Sequence, residues 1–210
     1  MSIVGVEITD KASWLAQRAD GIGASEAAAA VGAHPYTTPV ELYLRKLGLA
    51  PEKEETEEMR WGTWAEPMLA EEYARRTGQA LERTQVFKAH DHYPELRATL
   101  DGIDAAGDLV ELKTINERAA RGRIGEEWTD QLPEVWLCQA AQQMAVFGAD
   151  RVLFGVKIWG QPFRIHEVRW DAALVEGVTG GAREFWNRFV IPRVMPEVDY
   201  RDAKVLARIQ

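Results

Sequence analysis

Hydrophobic and polar residues alternate most clearly in the middle of the chain. Two short apolar runs flank a predicted turn at 105–108, and the second of them lies in Leu109–Lys113. Strand side chains point to opposite faces in turn, so Glu111 and Lys113 share one face and the apolar residues take the other. The neighbouring turn places Asp101 near the same face. The pattern therefore predicts adjacent strands that carry two carboxylates and an amine toward one point.

Helical periodicity marks other segments, and proline and glycine mark several of their ends. Ser25 is predicted to be the N-cap of a short helix, and Gly32 its stop. Thr63 and Glu66 have the spacing of a capping box at the start of a longer helix. The predicted helices cover 26–31, 39–47, 60–76, 133–147 and 172–189, the last interrupted at Gly180-Gly181.

The remaining segments supply strands and loops. The acidic stretch 51–58 has no core-forming residues and is predicted to be an exposed loop, and 116–132 is predicted to be a mobile loop. The tail after Pro192 is expected to be peripheral. Further strands are predicted at 82–88, 97–100, 151–159 and 163–170, the last two as a hairpin. This order of elements indicates an α/β fold with helices flanking a sheet.

Composition limits the possible functions. The 210 residues suit one domain over 1–210, and no apolar run approaches the roughly 20 residues of a membrane span. A single cysteine, Cys138, excludes an internal disulfide framework and predicts a reducing, cytoplasmic location without a secretion signal. The net charge of −8 argues against a general nucleic-acid coat protein but not against a nuclease, whose site carboxylates are neutralised by metal.

Asp101, Glu111 and Lys113 suggest a metal site. Carboxylate oxygens favour a hard cation such as Mg²⁺, which binds through one or two carboxylates and keeps several waters. The lysine could orient or deprotonate a water, or stabilise charge developing on a phosphate. The alternative is a solvated ion pair on an exposed strand face, because the motif is short and permissive.

Phosphate-binding groups are predicted elsewhere in the chain. Ser25 begins a helix that is approached through glycines, and Arg18 lies seven residues earlier, where it could grip a phosphate. A capped helix with a surface arginine is the alternative. In the loop 116–132, Arg121 and Arg123 could follow a phosphate backbone, or they could simply be solvated.

Three more polar features have open interpretations. Glu66 either completes its capping box or points inward as an acid near the metal. Gln139 and Gln143 lie one helical turn apart, where they could hold a water or a phosphate oxygen. His90 and His92 could bind a metal, but the carboxylates are the better candidates.

Ordered motifs give the chain a family resemblance over about residues 13–170. It resembles the phage recombination exonucleases of the YqaJ and lambda-exonuclease group, which have the PD-(D/E)xK nuclease fold, a mixed sheet flanked by helices. The C-terminal helix and tail, 171–210, lie outside the resemblance. The motifs are Arg18-(x)6-Ser25, Trp61-Gly62-(x)3-Glu66, Leu100-Asp101-Gly102, Glu111-Leu112-Lys113 and Gln139-(x)3-Gln143 followed by Gly148.

The resemblance implies a role for each of these residues. Asp101, Glu111 and the Leu112 carbonyl would bind metal, with Lys113 catalytic. Glu66 would be an acidic group near the metal, and Gln139 would position the attacking water. Arg18 and Ser25 would form a pocket for a terminal 5′-phosphate, with Gln143, Arg121 and Arg123 as secondary DNA contacts. Many relatives have Gln-x-Gln where this chain has Gln139-Ala140-Ala141, which puts a secondary contact in doubt.

The resemblance also implies an activity. It predicts hydrolysis of duplex DNA from the 5′ end with one or two Mg²⁺ ions, for which Mn²⁺ substitutes, leaving a 3′ overhang for a single-strand-annealing recombinase. Some relatives form rings, so a ring-shaped trimer is expected by analogy. The alternative activity is a structure-specific or site-specific endonuclease on the same fold. A DNA-binding module with a decayed site is the alternative from a different class.

Overall fold

In the part of the chain that the structure describes, apolar residues in seven strands build one mixed sheet between helices. The computed structural model describes residues 5–7, 19–50 and 56–207. The strands are β1 (Val6–Glu7), β2 (Ile22–Gly23), β3 (Leu81–Ala89), β4 (Leu96–Asp104), β5 (Leu109–Ile115), β6 (Arg151–Ile158) and β7 (Phe163–Arg169). The helices are α1 (Ala27–Ala30), α2 (Pro39–Lys46), α3 (Glu57–Thr77), α4 (Glu117–Ala120), α5 (Glu134–Phe147), α6 (Ala172–Phe185) and α7 (Ala203–Leu206).

The sheet has the strand order β1-β3-β4-β5-β6-β7, and β2 pairs with β4. Strands β5 and β6 run parallel and are joined through α5, whereas β3/β4, β4/β5 and β6/β7 are antiparallel. This mixed sheet flanked by helices confirms the predicted fold class.

One edge of β4 is shared between two partners. β2 pairs with β4 at Leu96 and Arg97, and β5 pairs with it at Gly102 and Ile103. Residues 98–101 lie between these two short pairings, and we call this interval the notch. The opposite edge of β4 pairs with β3, but the backbone groups that face the notch have no strand partner among the described residues. They therefore need hydrogen-bond partners from outside the sheet.

Helices cover both faces of the sheet. On one face, α3 buries Ala65, Leu69 and Tyr73 against Val110 and Leu112 of β5 and apolar residues of β6 and β7. On the other face, α1, α2, α5 and α6 pack on the larger core. The two cores follow from the period-two alternation of β5, whose successive side chains enter opposite layers.

Several predicted elements are confirmed. Helix α2 begins after Thr38, whose Oγ1 accepts a hydrogen bond from Glu41 N at 3.1 Å. Helix α5 follows Pro133 and ends at Gly148, which adopts φ +67°. The hairpin of β6 and β7 is also present.

Two predicted helix starts were wrong. Helix α3 begins at Glu57 with Thr56 as its N-cap, so Thr63 lies inside the helix and donates to the Met59 carbonyl instead of capping. The exposed loop predicted at 51–58 therefore ends earlier, and 51–55 lie outside the described residues. Ser25 lies within a 3-10 turn, Ala24–Glu26, rather than at an N-cap.

The predicted interruption of the last helix at Gly180-Gly181 was wrong. Helix α6 runs through both glycines without a break. A Cβ at Gly181 would lie 2.7 Å from Cγ1 of Val31, so the small residue permits close packing of α6 beside α1.

Three loop assignments also need correction. The segment predicted as a mobile loop, 116–132, contains α4 and is fixed to β7 by a hydrogen bond from Trp128 N to the Ile165 carbonyl. Asp101 lies inside β4 rather than near a turn, because β4 runs on to Asp104. The tail is not wholly peripheral, since Asp202 is buried and accepts a hydrogen bond from Thr38.

Candidate active site

Strand β4 carries a polar row toward a cavity. Its burial alternates, so that Leu96, Ala98 and Leu100 enter the core while Arg97, Thr99 and Asp101 are half-buried. All three of the half-buried residues line a cavity of about 170 Å³. Simple period-two alternation thus places Asp101 at the site.

The notch holds the backbone groups that a metal site would use. Beyond Gly102 and Val110 the ladder between β4 and β5 stops, and Leu112 N instead donates to Asp101 Oδ2 at 2.7 Å. The N–H and C=O of one strand residue point to the same side, so the Leu112 carbonyl faces the same gap. This direction suits the ligand role expected for that carbonyl.

Glu111 is held by three side chains. Lys113 Nζ lies 2.5 Å from its Oε1, Gln139 Nε2 lies 2.6 Å from the same oxygen, and Gln143 Nε2 lies 2.7 Å from Oε2. The glutamate is only 4% exposed. These contacts confirm that Glu111 and Lys113 share a face, and they fix the carboxylate in one orientation.

The charges of the cluster perturb one another. Burial raises the pKa of Asp101 well above its usual range, and the negative charge of Glu111 raises it further. Burial alone would lower the pKa of Lys113, but the carboxylates of Glu111 and Asp101 outweigh it, and the net pKa is raised. A buried and a half-buried carboxylate beside one ammonium are an arrangement that a divalent cation would stabilise.

Glu66 faces the cluster from α3. It lines a second cavity, of about 380 Å³, together with Asp101, Glu111 and Lys113. Its Oε1 accepts a hydrogen bond of 2.7 Å from Gln85 Nε2. The capping interpretation of Glu66 is therefore wrong, and the inward-facing one agrees with its position.

The two cavities meet at Asp101, Glu111 and Lys113. The smaller one is also lined by Ser25 and Gln139, both of which were expected at the site. In the part of the chain that the structure describes, these residues therefore converge as the motifs predicted.

Other expected DNA contacts lie elsewhere. Gln143 is fully buried, and its amide binds Glu111 and the Thr99 carbonyl, so in this conformation it does not reach DNA. Arg123 lines a separate cavity of about 660 Å³ that shares no residue with the acidic cluster, and Arg121 is exposed and lines neither of the two cavities at the cluster. Arg18 lies outside the described residues.

The histidine pair has a local structural role. His90 Nδ1 accepts hydrogen bonds from the backbone N–H groups of His92 and Tyr93. This nitrogen is thus occupied in closing a turn, as the preference for the carboxylate site anticipated.

Sequence reasoning missed three residues of the site. Arg97 and Thr99 could have been found from their period-two spacing with Asp101. Gln85 could not, because its φ of +50° breaks the regular alternation of β3 at the position across from Asp101, between the pairs Thr84–Gly102 and Val86–Leu100. A positive φ at a residue other than glycine is uncommon and often accompanies a functional site.

The donor set fits a hard divalent cation. Among residues 5–7, 19–50 and 56–207, no three His, Cys, Asp or Glu side chains form a ready-made metal cage. Asp101, Glu111 and the Leu112 carbonyl offer only oxygen, which is the ligand type of Mg²⁺, and Mg²⁺ usually keeps several waters. In the same described ranges, no helix is long and apolar enough to cross a membrane.

Comparison with known proteins identifies the family. A model of the YqaJ-like viral recombinase domain matches residues 13–150, which is more than half of the chain. The chain belongs to the YqaJ-like viral recombinase family. It is similar to the uncharacterized protein YqaJ of Bacillus subtilis (strain 168), with 30% identity over 191 residues and 89% of this chain covered. This YqaJ-like chain spans 58% of the length of that relative.

Solved structures agree on the fold. An alkaline exonuclease (LHK-Exo) from Laribacter hongkongensis matches with a TM-score of 0.68 and 20% identity, covering 85% of this chain and 92% of that one. Its complex with dAMP matches with a TM-score of 0.69 and 20% identity, and the match covers 94% of this chain and 99% of that one. A phage-related exonuclease from Haemophilus somnus 129PT matches with a TM-score of 0.58 and 12% identity, and the match covers 81% of this chain and 95% of that one. At these identities the likeness establishes the fold of the YqaJ-like chain, which is the lambda-type PD-(D/E)xK architecture.

Proposed function

We propose that this protein is a divalent-metal-dependent deoxyribonuclease that degrades duplex DNA from its 5′ ends. The observation that carries the proposal is the convergence of Asp101, Glu111 and Lys113 in the notch, where the strands part and two cavities meet. Membership of the YqaJ-like family supports the same activity.

Each residue at the site has a specific task. Asp101 and Glu111 would hold the cation, with the Leu112 carbonyl as a third ligand. When bound, Mg²⁺, or Mn²⁺ in its place, polarises the phosphate and lowers the pKa of its water. Gln139 and Gln143 keep the Glu111 carboxylate aligned through hydrogen bonds of 2.6 and 2.7 Å.

Lys113 supplies positive charge at the reacting group. Its ammonium lies 2.5 Å from Glu111 Oε1 and lines both cavities, so it can also donate to a phosphate oxygen placed there. A preorganised donor of this kind stabilises the charge that develops on the phosphate in the transition state. Before a cation binds, the carboxylates of Glu111 and Asp101 raise the pKa of Lys113, which favours its protonated, hydrogen-bond-donating form.

The preference for a 5′ end rests on Ser25 and Arg18. Ser25 lines the smaller cavity with Asp101 and Lys113, which agrees with a terminal phosphate bound beside the metal. The similar alkaline exonuclease has been solved with dAMP, which agrees with a deoxynucleotide in such a pocket. On this proposal the product is a 3′ overhang, a single-strand-annealing recombinase receives it, and a ring-shaped trimer is the assembly.

Digestion of three matched substrates tests the proposal. Linear duplex DNA with a 5′-phosphate, the same DNA without it and a covalently closed circle are incubated with Mg²⁺ and with EDTA. We expect metal-dependent loss of the phosphorylated linear DNA and an intact circle. Ser25→Ala and Arg18→Ala should reduce the advantage of the 5′-phosphate.

The other outcomes are equally clear. Cleavage of the circle at a comparable rate would replace the exonuclease with an endonuclease on the same fold. No cleavage of any substrate in Mg²⁺ or Mn²⁺ would refute the proposed activity.

A further inference from the structure

An aromatic cleft lies beside the acidic cluster. It encloses about 470 Å³ and is lined by Trp61 of α3, by Trp159 just after β6 and by residues at the end of β5. Trp61 is 49% exposed and Trp159 is 43% exposed, so each presents part of its ring to solvent. Large apolar side chains that remain this accessible need a reason, because burial of an aromatic ring is favourable.

The cleft is continuous with the candidate active site. Glu58 and Thr114 line both this cleft and the larger of the two cavities at Asp101 and Glu111. Lys113 and Ile115 are two residues apart on β5, roughly 6.6 Å at the rise of a strand. One or two nucleotides of a DNA strand, at about 3.4 Å each when stacked, span that distance.

Helix α3 is held close to the mouth of the cleft. A Cβ at Gly62 would lie 3.7 Å from Thr114 Oγ1, so the helix passes directly over the end of β5. Trp159 is held at the end of β5, because its N–H donates to the Ile115 carbonyl at 3.0 Å. Trp61 is thus carried by a helix, and Trp159 lies in the tight turn directly after β6.

The chemistry of the lining selects a neutral, flat occupant. Glu58, Trp61, Thr114, Ile115, Asn116 and Trp159 include a carboxylate and, among these described lining residues, no lysine or arginine. A phosphate would be repelled here. A cleft of about 470 Å³ is small for a partner helix, which is roughly 10 Å across. A single nucleobase has both the size and the π-face that aromatic side chains stack against.

We propose that this cleft binds one unstacked nucleobase of the DNA strand that enters the active site. The inference rests on the proposed nuclease function, because it takes the DNA strand from the acidic cluster. Stacking in the cleft would hold the strand away from its complement and fix the position of the phosphate next to Lys113.

An abasic scan tests the proposal without altering the protein. A 12-nucleotide single strand with a 5′-phosphate and a 3′ fluorophore is titrated in Ca²⁺, and an abasic residue is moved along it one position at a time. We expect one or two positions at which loss of the base weakens binding by roughly 5- to 100-fold, the range for base–aromatic stacking. Equal binding of all probes would overturn the proposal.

Protein variants then locate the effect. Trp159→Ala should bind the intact and abasic probes equally weakly, Trp61→Ala should behave similarly, and Trp159→Phe should retain most of the discrimination. Trp170→Ala is the matched control, since Trp170 is 45% exposed and follows the partner strand β7 at the opposite end of the hairpin. Unchanged discrimination in Trp159→Ala would overturn the assignment.

Two further readouts separate the possible failures. If Trp61→Ala changes only the mass measured by light scattering, a second copy of the chain occupies the cleft and the proposal fails. If the wild type discriminates between probes but cleaves no DNA, the nuclease proposal fails while the base site stands. If it cleaves DNA without discriminating, the base site alone fails.

Discussion

Gln143 and Glu111 are joined by a buried hydrogen bond of 2.7 Å between Nε2 and Oε2. The same amide nitrogen reaches the Thr99 carbonyl in the notch at 3.3 Å. A residue expected to contact DNA thus connects the open edge of β4 to a candidate metal ligand. Groups that orient a ligand in this way typically change metal affinity or activity by about 10- to 100-fold when they are removed.

Gln143→Leu should therefore weaken the binding of Mg²⁺. We expect the Mg²⁺ concentration at half-maximal cleavage to rise by about 10-fold or more, because Glu111 loses a fixed orientation. Gln142→Leu is the control, since the Gln142 amide binds the carbonyls of Ile22 and Arg97 and not Glu111. An identical Mg²⁺ titration for Gln143→Leu and the wild type would contradict the positioning role.

Lys113→Ala should abolish cleavage while DNA binding survives. Loss of one preorganised donor to the transition state costs about 100- to 1000-fold in rate. Cleavage is followed with Mg²⁺ on an end-labelled duplex, and binding is measured with Ca²⁺, which we expect to bind but support little turnover. Lys157→Ala, on the neighbouring strand β6, controls for loss of a lysine. Cleavage by Lys113→Ala at the wild-type rate would remove this lysine from the mechanism.

His166 should make folding stability depend on pH. Its ring is buried, and Nδ1 lies 3.1 Å from the Thr129 carbonyl, so the neutral ring carries its proton on Nδ1. Burial lowers the pKa of His166. The unfolded chain therefore takes up the second ring proton, which charges the imidazole, more readily than the folded chain does. The contribution of His166 to stability is complete above about pH 6.5 and declines as the pH falls toward the folded-state pKa.

Urea unfolding between pH 5 and 7.5 measures this effect. We expect the wild type to lose at most about 1.4 kcal/mol per pH unit from this one group. His166→Gln should reduce the slope over the same range, whereas His92→Gln controls for replacement of a histidine in an exposed loop. Equal slopes in wild type and His166→Gln would show that this residue is not responsible.

Gly180 and Gly181 should respond oppositely to alanine. An alanine at Gly180 meets no atom within 4 Å, so Gly180→Ala should stabilise α6 by roughly 0.5–1 kcal/mol. An alanine at Gly181 would place its Cβ 2.7 Å from Val31, and Gly181→Ala should destabilise the protein. Thermal melts of both variants compare the two effects, and similar melting temperatures would argue against the close helix contact.

The sequence predicted the layers and the central motif because both depend on local periodicity. Alternation in β5 placed Glu111 and Lys113 on one face, and glycine with proline located α5 correctly. Glu66 was ambiguous because Thr63 three residues earlier satisfied a capping pattern. Only the actual N-cap at Thr56 excludes that pattern, and it depends on where the helix begins.

The supporting contacts could not be predicted in the same way. Gln143 and Glu111 are 32 residues apart, and their contact depends on how α5 crosses the sheet. The helix pattern gave the spacing of Gln139 and Gln143 but not the layer that they face. Gly181 was interpreted as a local helix breaker, although its role comes from Val31, a residue distant in sequence that lies just after α1.

The parting of β4 and β5 also limits how far this protein can be stabilised. Each added ladder hydrogen bond between them would contribute roughly 0.5–1.5 kcal/mol. Those bonds would occupy the Leu112 N–H and carbonyl and draw Asp101 into an ordinary strand pair. An engineer who extended this hairpin would obtain a firmer sheet with no room for the proposed cation, so a thermostable variant must leave the short pairing of β4 and β5 as it is.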